Sequence, residues 1–388
     1  MSEVRFLTRE IGSLGKPAWR VKTFAGRPVE ESDFEEAERW GRRLDVNGHE
    51  QLVEGLRSGG LSREQVDDWA AIYAIRLLEK VGLDVVYDGE QKRTEMYDHV
   101  AAFANGFEPR GIVRSFDNKY YAKAAVVETP SVEGPQDVEE FEFVRAQTDR
   151  VVKVPLTGAY TMEDWSYDEH YAHEGALGGS KERRYEARRR FVTDVATNVI
   201  LPNVEGLVAA GAEWIQIDEP AATTKPDEVP LVVEGFNEAT KGVEAKKSMH
   251  ICFSDYSALW PAVLELDDCL ELQLEFANRD SRELGTKDED RAGYADTLHL
   301  FKEHGYPNVG LGVLDIHSDF VEPAELVRDR ILYAVEVLGD PERIQVNPDC
   351  GLRTRSWDVV YEKLANMVEG TRLAEQALNA AHAAPASA

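Results

Sequence analysis

The sequence predicts an α/β protein of the (β/α)8, or TIM, barrel class, with an N-terminal helical insertion and a β-hairpin insertion in its loops. Three observations predict it. Eight short β-rich runs alternate with longer helical stretches along the 388 residues. Most runs are continuously apolar and end in a polar or charged residue, as strands buried on both faces of a parallel sheet do. The first strand-to-helix turn lacks G-x-G-x-x-G, which weighs against a doubly wound dinucleotide fold.

The strand runs, in order, are REIGS (9–13), LDVVYDGE (83–90), VVKVPLTG (151–158), WIQIDEP (214–220), SMHICFS (248–254), LELQLEF (270–276), NVGLGVLD (308–315) and RIQVNPD (343–349). Between them, SREQVDDWAAIYAIRLLEKVG (62–82) opens with a Ser-x-x-Gln capping box and stops at Gly82. Residues 183–211 read as a helix interrupted at Pro202, whose ring and missing N–H break the regular ladder. SALWPAVLEL (257–266), RAGYADTLHLFKEHG (291–305) and PAELVRDRILYAVEVLG (323–339) supply the later helical crossovers. Two segments fall outside the alternation. Residues 14–61 hold the polar helix EESDFEEAERWGRRL; residues 101–150 hold the hairpin-like GIVRSFDNKYYAKAAVVETP and the acidic helix start DVEEFEFVRAQ. Both are read as insertions in one barrel domain over 1–388, with a frayed, low-complexity tail at about 379–388.

Composition narrows the class of function. With 72 Asp+Glu against 44 Lys+Arg the formal charge is −28, which disfavours nucleic acid and anionic membrane as partners. An apolar share of 43% excludes a wholly disordered chain. Three cysteines are too few for a disulfide scaffold and point to a reducing compartment. The start, MSEVRFLTRE, has no apolar h-region, and no run of about 18 apolar residues exists. The expected setting is the cytoplasm.

In such a barrel the chemistry gathers at the C-terminal strand ends. Those ends carry Gly12-Ser13, Asp88-Gly89-Glu90, Thr157, Asp218-Glu219, His250-x-Cys252, Glu275, Asp315-x-His317 and Asn347-Pro348-Asp349-Cys350. His-x-Cys on a strand puts both side chains on one face, because the side-chain period is two. Glu275 ends the next strand and Cys350 ends the last. Two thiolates, an imidazole and a carboxylate suit tetrahedral Zn²⁺. Alone, His-x-Cys also reads as a buried strand with a satisfied histidine. Cys269 begins its strand, at the opposite end, and is read as core.

IGS, DGEQKRTEM (88–96), TGAYTMEDWS (157–166), IQIDEP (215–220), MHICFSD (249–255), the Glu of LEF, GLGVLDIHS (310–318) and NPDCGLRTR (347–355) occur in this order. Together they resemble the C-terminal catalytic barrel of the cobalamin-independent methionine synthases, in a short single-barrel form, over residues 8 to about 375. The resemblance implies a zinc-dependent methyltransferase that makes methionine from homocysteine. It implies His250, Cys252, Glu275 and Cys350 as zinc ligands. Ser13, Glu90 and Asp218 match positions that hold the amino-acid part of homocysteine; Gly12 and Asp349 are grouped with them. His317, with Asp315 beside it, matches the residue that protonates the departing donor. Trp165 matches a tryptophan stacked on the donor's ring. The implied partners are homocysteine and a methyl donor, either methyltetrahydrofolate or a methylcobalamin or corrinoid protein.

Three departures lie on the substrate side. Thr223 stands where the family carries a second Glu, Phe276-Ala277-Asn278 replaces Thr-Ser-Arg, and the DFVEP loop after His317 lacks the usual Pro-Arg. They leave open a thiol alkyltransferase of the epoxyalkane–coenzyme M type. Against it, Glu90 and Asp218 are retained, and a sulfonate thiol gives an ammonium-binding pair no use. A non-catalytic homologue would have lost a ligand or His317, and this chain has lost neither.

Overall fold

The apolar runs of the sequence become parallel strands whose ends lie level with one another. The computed structural model describes residues 3–114, 120–172 and 180–383. In chain order the strands are β1 (Val85–Val86), β2 (Asn105–Arg114), β3 (Tyr120–Ser131), β4 (Val151–Val152), β5 (Val154–Thr157), β6 (Tyr167–Asp168), β7 (Trp214–Asp218), β8 (Lys246–Ile251), β9 (Cys269–Leu274), β10 (Asn308–Gly312) and β11 (Ile344–Asn347). Strands β5, β7, β8, β9, β10 and β11 form one parallel sheet in that order, and β1 pairs in parallel with β4. Thr8 bridges Val346 of β11, and Arg9 bridges Val85 of β1. The REIGS run thus contributes a single bridge at Arg9, next to that of Thr8, rather than a full strand. The register pairs Thr157 with Asp218, Asp218 with His250, and Ile251 with Leu274. Cys252 and Glu275 therefore leave the sheet at the same level.

Helices cover the sheet as the alternation predicts. Helix Arg63–Val81 has the Ser62/Gln65 capping box, in which Gln65 N donates to Ser62 Oγ at 3.2 Å and Ser62 N donates to Gln65 Oε1 at 2.9 Å. Such a reciprocal cap satisfies two backbone donors that helix geometry leaves open. The interruption at Pro202 is a wide π segment, Ala196–Ile200, between helices Lys181–Val195 and Leu201–Ala209. The wider turn accommodates a residue that cannot donate to the α ladder. One expectation is corrected. SALWPAVLEL is not an α-helix but two short 3₁₀ turns, Tyr256–Leu259 and Ala262–Glu265, on either side of Trp260-Pro261. A central proline in ten residues leaves no room for a stable α nucleus.

The two irregular segments also resolve. Residues 18–58 form three helices, Ala18–Phe24, Glu31–Arg43 and His49–Ser58. β2 and β3 form the expected antiparallel hairpin; its tip, 115–119, lies outside the described residues. Helix Val138–Gln147, also in the 101–150 segment, packs against Arg63–Val81 and Leu201–Ala209, where a crossover belongs. The C-terminal helix runs through Ala383, and Asn379 within it accepts a hydrogen bond from Val4 N at 2.8 Å. Residues 384–388 of the tail lie outside the described residues. No helix among the described residues is long and apolar enough to cross a membrane.

Beneath the strand ends the buried side chains include polar and charged groups that pair with one another. Arg9 and Glu271 form a fully buried ion pair at 2.5 Å, and Arg9 also donates to Asn347 Oδ1 at 3.1 Å. Lys153 donates to the carbonyls of Glu10 and Ile11 at 2.9 and 2.8 Å. Neither of these buried cations forms an ion pair with Glu90 or Asp218 within 4 Å.

Candidate active site

Three ligand-type side chains meet where β8 and the turn after β11 come together. One ring nitrogen of His250 and the sulfurs of Cys252 and Cys350 all lie within 4.8 Å of one another. His250 Nδ1 sits 3.1 Å from Gln273 O, which accepts its proton, and Nε2 is 3.3 Å from Cys350 Sγ. A ring fixed through Nδ1–H keeps Nε2 as the open donor atom, the usual arrangement of a metal-ligating histidine. A hydrogen bond from Cys252 and the charge of His250 hold the Cys350 thiol down to about 5. The same hydrogen bond, together with burial, pushes Cys252 well up. Burial works against a charged His250, but the neighbouring Cys350 anion outweighs it and raises its pKa. Two sulfurs and one imidazole at this spacing could hold a thiophilic cation such as Zn²⁺.

Glu275 is buried beside this trio without joining its mutual 4.8 Å set. Its Oε2 accepts from Phe253 N at 3.0 Å and Asn278 Nδ2 at 3.1 Å. Its Oε1 has no hydrogen-bond partner among the described residues and faces His317 Nε2 at 3.5 Å. A buried carboxylate oxygen left open beside two sulfurs and an imidazole would suit a bound cation. Phe253 contributes through its backbone: a φ of 53° turns the chain out of β8 right after Cys252 and aims its N–H at Glu275. A second cluster, His99, Asp137 and Glu140, has similar spacing, but the guanidinium of Arg93 fills it, 2.9 Å from Glu140 and 3.5 Å from Asp137.

Gly12, Ser13, Glu90 and Asp218 line the same cavity as His250, Cys252, Cys350, His317 and Trp165. Asp218 accepts from Gln216 Nε2 at 2.7 Å, and burial drives its carboxyl up to about 7. Among the described residues neither carboxylate pairs with an arginine, and the buried Arg9 pairs with Glu271. Close approach explains two glycines. A Cβ on Gly12 would lie 2.6 Å from Glu90 Oε1, and one on Gly351 would lie 2.6 Å from Ser13 Oγ.

Two carboxylates named from the sequence serve the scaffold. Asp315 accepts from the backbone N–H of His317 and from Ser318 Oγ, both at 2.8 Å, so it shapes the turn that carries His317 and acts on the imidazole only through its charge. The imidazole packs edge-on against Phe253, with ring centroids 4.6 Å apart. Burial lowers its pKa, and Glu275 more than offsets this, so His317 is held above its ordinary value. Asp349 is buried and accepts from the N–H groups of Phe276, Ala277 and Asn278 at 2.9, 2.9 and 2.7 Å. It ties down the turn after Glu275 and does not line the cavity.

The 315–322 turn has a buried support of its own. Lys363 Nζ donates to Asp315 O at 2.9 Å, to Phe320 O and to Glu322 Oε2 at 2.7 Å, while Glu322 Oε1 accepts from Asp315 N. Lys363→Met is expected to strand Glu322 and to cost about 3–5 kcal/mol in urea unfolding, the usual effect of breaking a buried charge pair. A loss below about 1 kcal/mol would mean that the turn holds itself.

The family described as cobalamin-independent synthase, catalytic domain, matches residues 56–373. The chain belongs to the cobalamin-independent methionine synthase family. The methionine synthase of Thermoplasma volcanium is 39% identical over 316 residues, covering 79% of this chain and 88% of that one. That of Pyrococcus horikoshii is 33% identical over 375 residues, covering 96% and 93%. A solved B12-independent methionine synthase from Shewanella sp. W3-18-1, in complex with selenomethionine, is 23% identical and covers 97% of this chain and 99% of its own, with a TM-score of 0.69. The last likeness is one of fold.

Within this member of the methionine synthase family, the outer wall of the cavity is more aromatic than the sequence suggested. Trp165 ends helix Ala159–Trp165, whose first N–H groups are held by the buried Glu219. Tyr121 of β3 already stacks on Trp165, at 5.3 Å and 28°, and Tyr120 lines the cavity next to it. Phe253, Glu95, Met96 and Arg353 also line it and were missed. Tyr120-Tyr121 was visible as a pair, but nothing local says that a hairpin folds back over the strand ends. Arg353 lay inside the quoted NPDCGLRTR string, three residues beyond Cys350.

Proposed function

We propose that this methyltransferase moves a methyl group onto the thiol of homocysteine, forming methionine. The observation that carries the reading is one cavity lined by two carboxylates, Glu90 and Asp218, which make no ion pair within 4 Å among the described residues, together with the His250–Cys252–Cys350 set. An α-amino thiol fits it end to end. Its ammonium goes to Glu90 and Asp218, its carboxylate to the Gly12-Ser13 wall, and its sulfur to the thiolate–imidazole end. His250, Cys252 and Cys350, with Glu275, would hold Zn²⁺, which when bound lowers the pKa of a thiol and keeps it nucleophilic near neutral pH.

The chain's own residues supply the rest. With Nδ1 of His250 held by Gln273 O, Nε2 is the ring atom turned toward Cys350. The Phe253 N–H and Asn278 amide hold Glu275 Oε2, leaving Oε1 toward His317. His317, whose pKa burial lowers and Glu275 more than restores, borders the cavity and can protonate a leaving amine. Trp165, backed by Tyr121, offers its other face to a flat donor, and holding both partners in line accounts for much of the rate enhancement. The donor is a methyltetrahydrofolate with a short tail or a methylcorrinoid, since a surface of formal charge −28 is a poor grip for a polyanionic tail.

The same reading takes the fold as a closed (β/α)8 barrel of one domain. The Thr8 and Arg9 bridges, which link β11 to β1, support this. Its setting is cytoplasmic, in keeping with three free cysteines.

The test is a methionine-forming assay on zinc-loaded protein with L-homocysteine and, in turn, methyltetrahydrofolate, its polyglutamate and methylcobalamin. Methionine is expected with at least one donor, and Trp165→Ala should impair the folate reaction far more than the cobalamin one. Absence of methionine with all three would overturn the reading.

A further inference from the structure

The cavity lining includes one arginine, Arg353, and no lysine among the described residues. Its contact with charged groups is a single ion pair to Glu95 Oε1 at 3.6 Å, too long for a hydrogen bond, and its side chain is 29% exposed. The buried arginines elsewhere are held by close carboxylates. Arg93 donates to Glu140 and Pro155 O, Arg291 pairs with Asp280, and Arg330 donates to Asp280 and Val313 O. Glu95 does not depend on Arg353 either: its Oε2 caps helix Met96–Phe103 by accepting from Tyr97 N at 2.8 Å. A loose, part-exposed pair of this kind contributes little and exchanges readily.

A planar guanidinium with free donors, set in a cavity otherwise lined by Glu90, Glu95 and Asp218, is the place where an anion can be received. Its position agrees. Gly351, two residues before it, abuts Ser13, so Arg353 and Ser13 share a wall, while Glu95 and Met96 lead from it toward Tyr121 and Trp165.

We propose that Arg353 is the carboxylate-binding residue of this cavity, exchanging its loose pair with Glu95 for a bidentate pair with a carboxylate of the bound ligand. This rests on the methyl-transfer reading and deepens it. Two carboxylates are available: the α-carboxylate of the amino-acid thiol, and that of a methyl donor.

The experiment is calorimetric binding to zinc-loaded wild type, Arg353→Lys and Arg353→Met, each checked for native circular dichroism. The ligands are L-homocysteine, 3-aminopropane-1-thiol (the same thiol and amine without the carboxylate) and methyltetrahydrofolate monoglutamate. If the α-carboxylate is bound, wild type prefers L-homocysteine over the carboxylate-free thiol by roughly tenfold or more, Arg353→Met abolishes the preference, and Arg353→Lys restores part of it. If the donor's carboxylate is bound, Arg353→Met leaves that preference intact and weakens methyltetrahydrofolate by a similar factor. Arg353→Met that changes neither, or weakens the carboxylate-free thiol as much as L-homocysteine, overturns the proposal alone. Arg353-dependent binding in a protein that forms no methionine removes the methyl-transfer reading and leaves Arg353 standing. Wild type that binds neither carboxylate ligand overturns both.

Discussion

Cys350→Ala is expected to take zinc from about one ion per chain to below about a tenth, and methyl transfer down by a factor on the order of a thousand or more. Cys350 is the anionic member of the trio: a hydrogen bond from Cys252 and the charge of His250 hold its thiol down to about 5. Without it, His250 Nε2 faces no sulfur at 3.3 Å, and Cys252 and Glu275 are left as a split pair of donors. The fold should survive, because Cys350 is only half-buried at the rim of the core. Metal analysis after dialysis, with circular dichroism on the same sample, measures both effects. Cys269→Ser is the control. Cys269 opens β9 at the far end of the strands, where its thiol reaches Glu271 O at 3.3 Å, so zinc content should not change. Full zinc and activity in Cys350→Ala would remove this cysteine from the ligand set.

Asp349→Ala is expected to have the second largest effect, on stability and metal affinity together. Its carboxylate receives three successive N–H groups, those of the buried Phe276 and Ala277 and the part-buried Asn278. Stranding them should cost about 3–5 kcal/mol, at about 1–3 kcal/mol per unsatisfied group with some relaxation. The turn they define also carries Asn278, whose amide holds Glu275 Oε2 at 3.1 Å. Zinc affinity should therefore fall by about 10–100-fold even where the protein remains folded, as for other residues that support a ligand from behind. Urea unfolding of the zinc-free protein gives the first number and competition with a chromogenic chelator the second. Unchanged zinc affinity in folded Asp349→Ala would mean that Glu275 needs no such support, or is no ligand.

Much of this site could be read from residues in a row, because strand periodicity is local physics. His250 and Cys252 had to share a face once β8 was a strand, and Glu275 had to follow them once β9 ran beside it in parallel. The capping box at Ser62 and the break near Pro202 were legible for the same reason: each is decided within one turn of backbone. The SALWPAVLEL crossover misled because its apolar content suits a helix, while one proline in a ten-residue link decides otherwise.

What the row of residues could not say is who answers a charge from a distance. Asp349 looked like a substrate residue, because a carboxylate at a strand end next to a cysteine has several uses. Only the approach of the 276–278 turn, about seventy residues away, spends it on backbone N–H groups. Trp165 was visible as a platform, whereas Tyr121 on one of its faces depends on how a hairpin folds over the mouth. Arg353 sat in plain view in NPDCGLRTR, yet its meaning lies in a contact it does not make. The sequence alone determined the alternation of strands and helices, the two-residue spacing of His250 and Cys252, and the family those motifs belong to. The tertiary structure decided which buried charges are already neutralised and which still face the cavity, because desolvation and pairing depend on neighbours brought in by the fold.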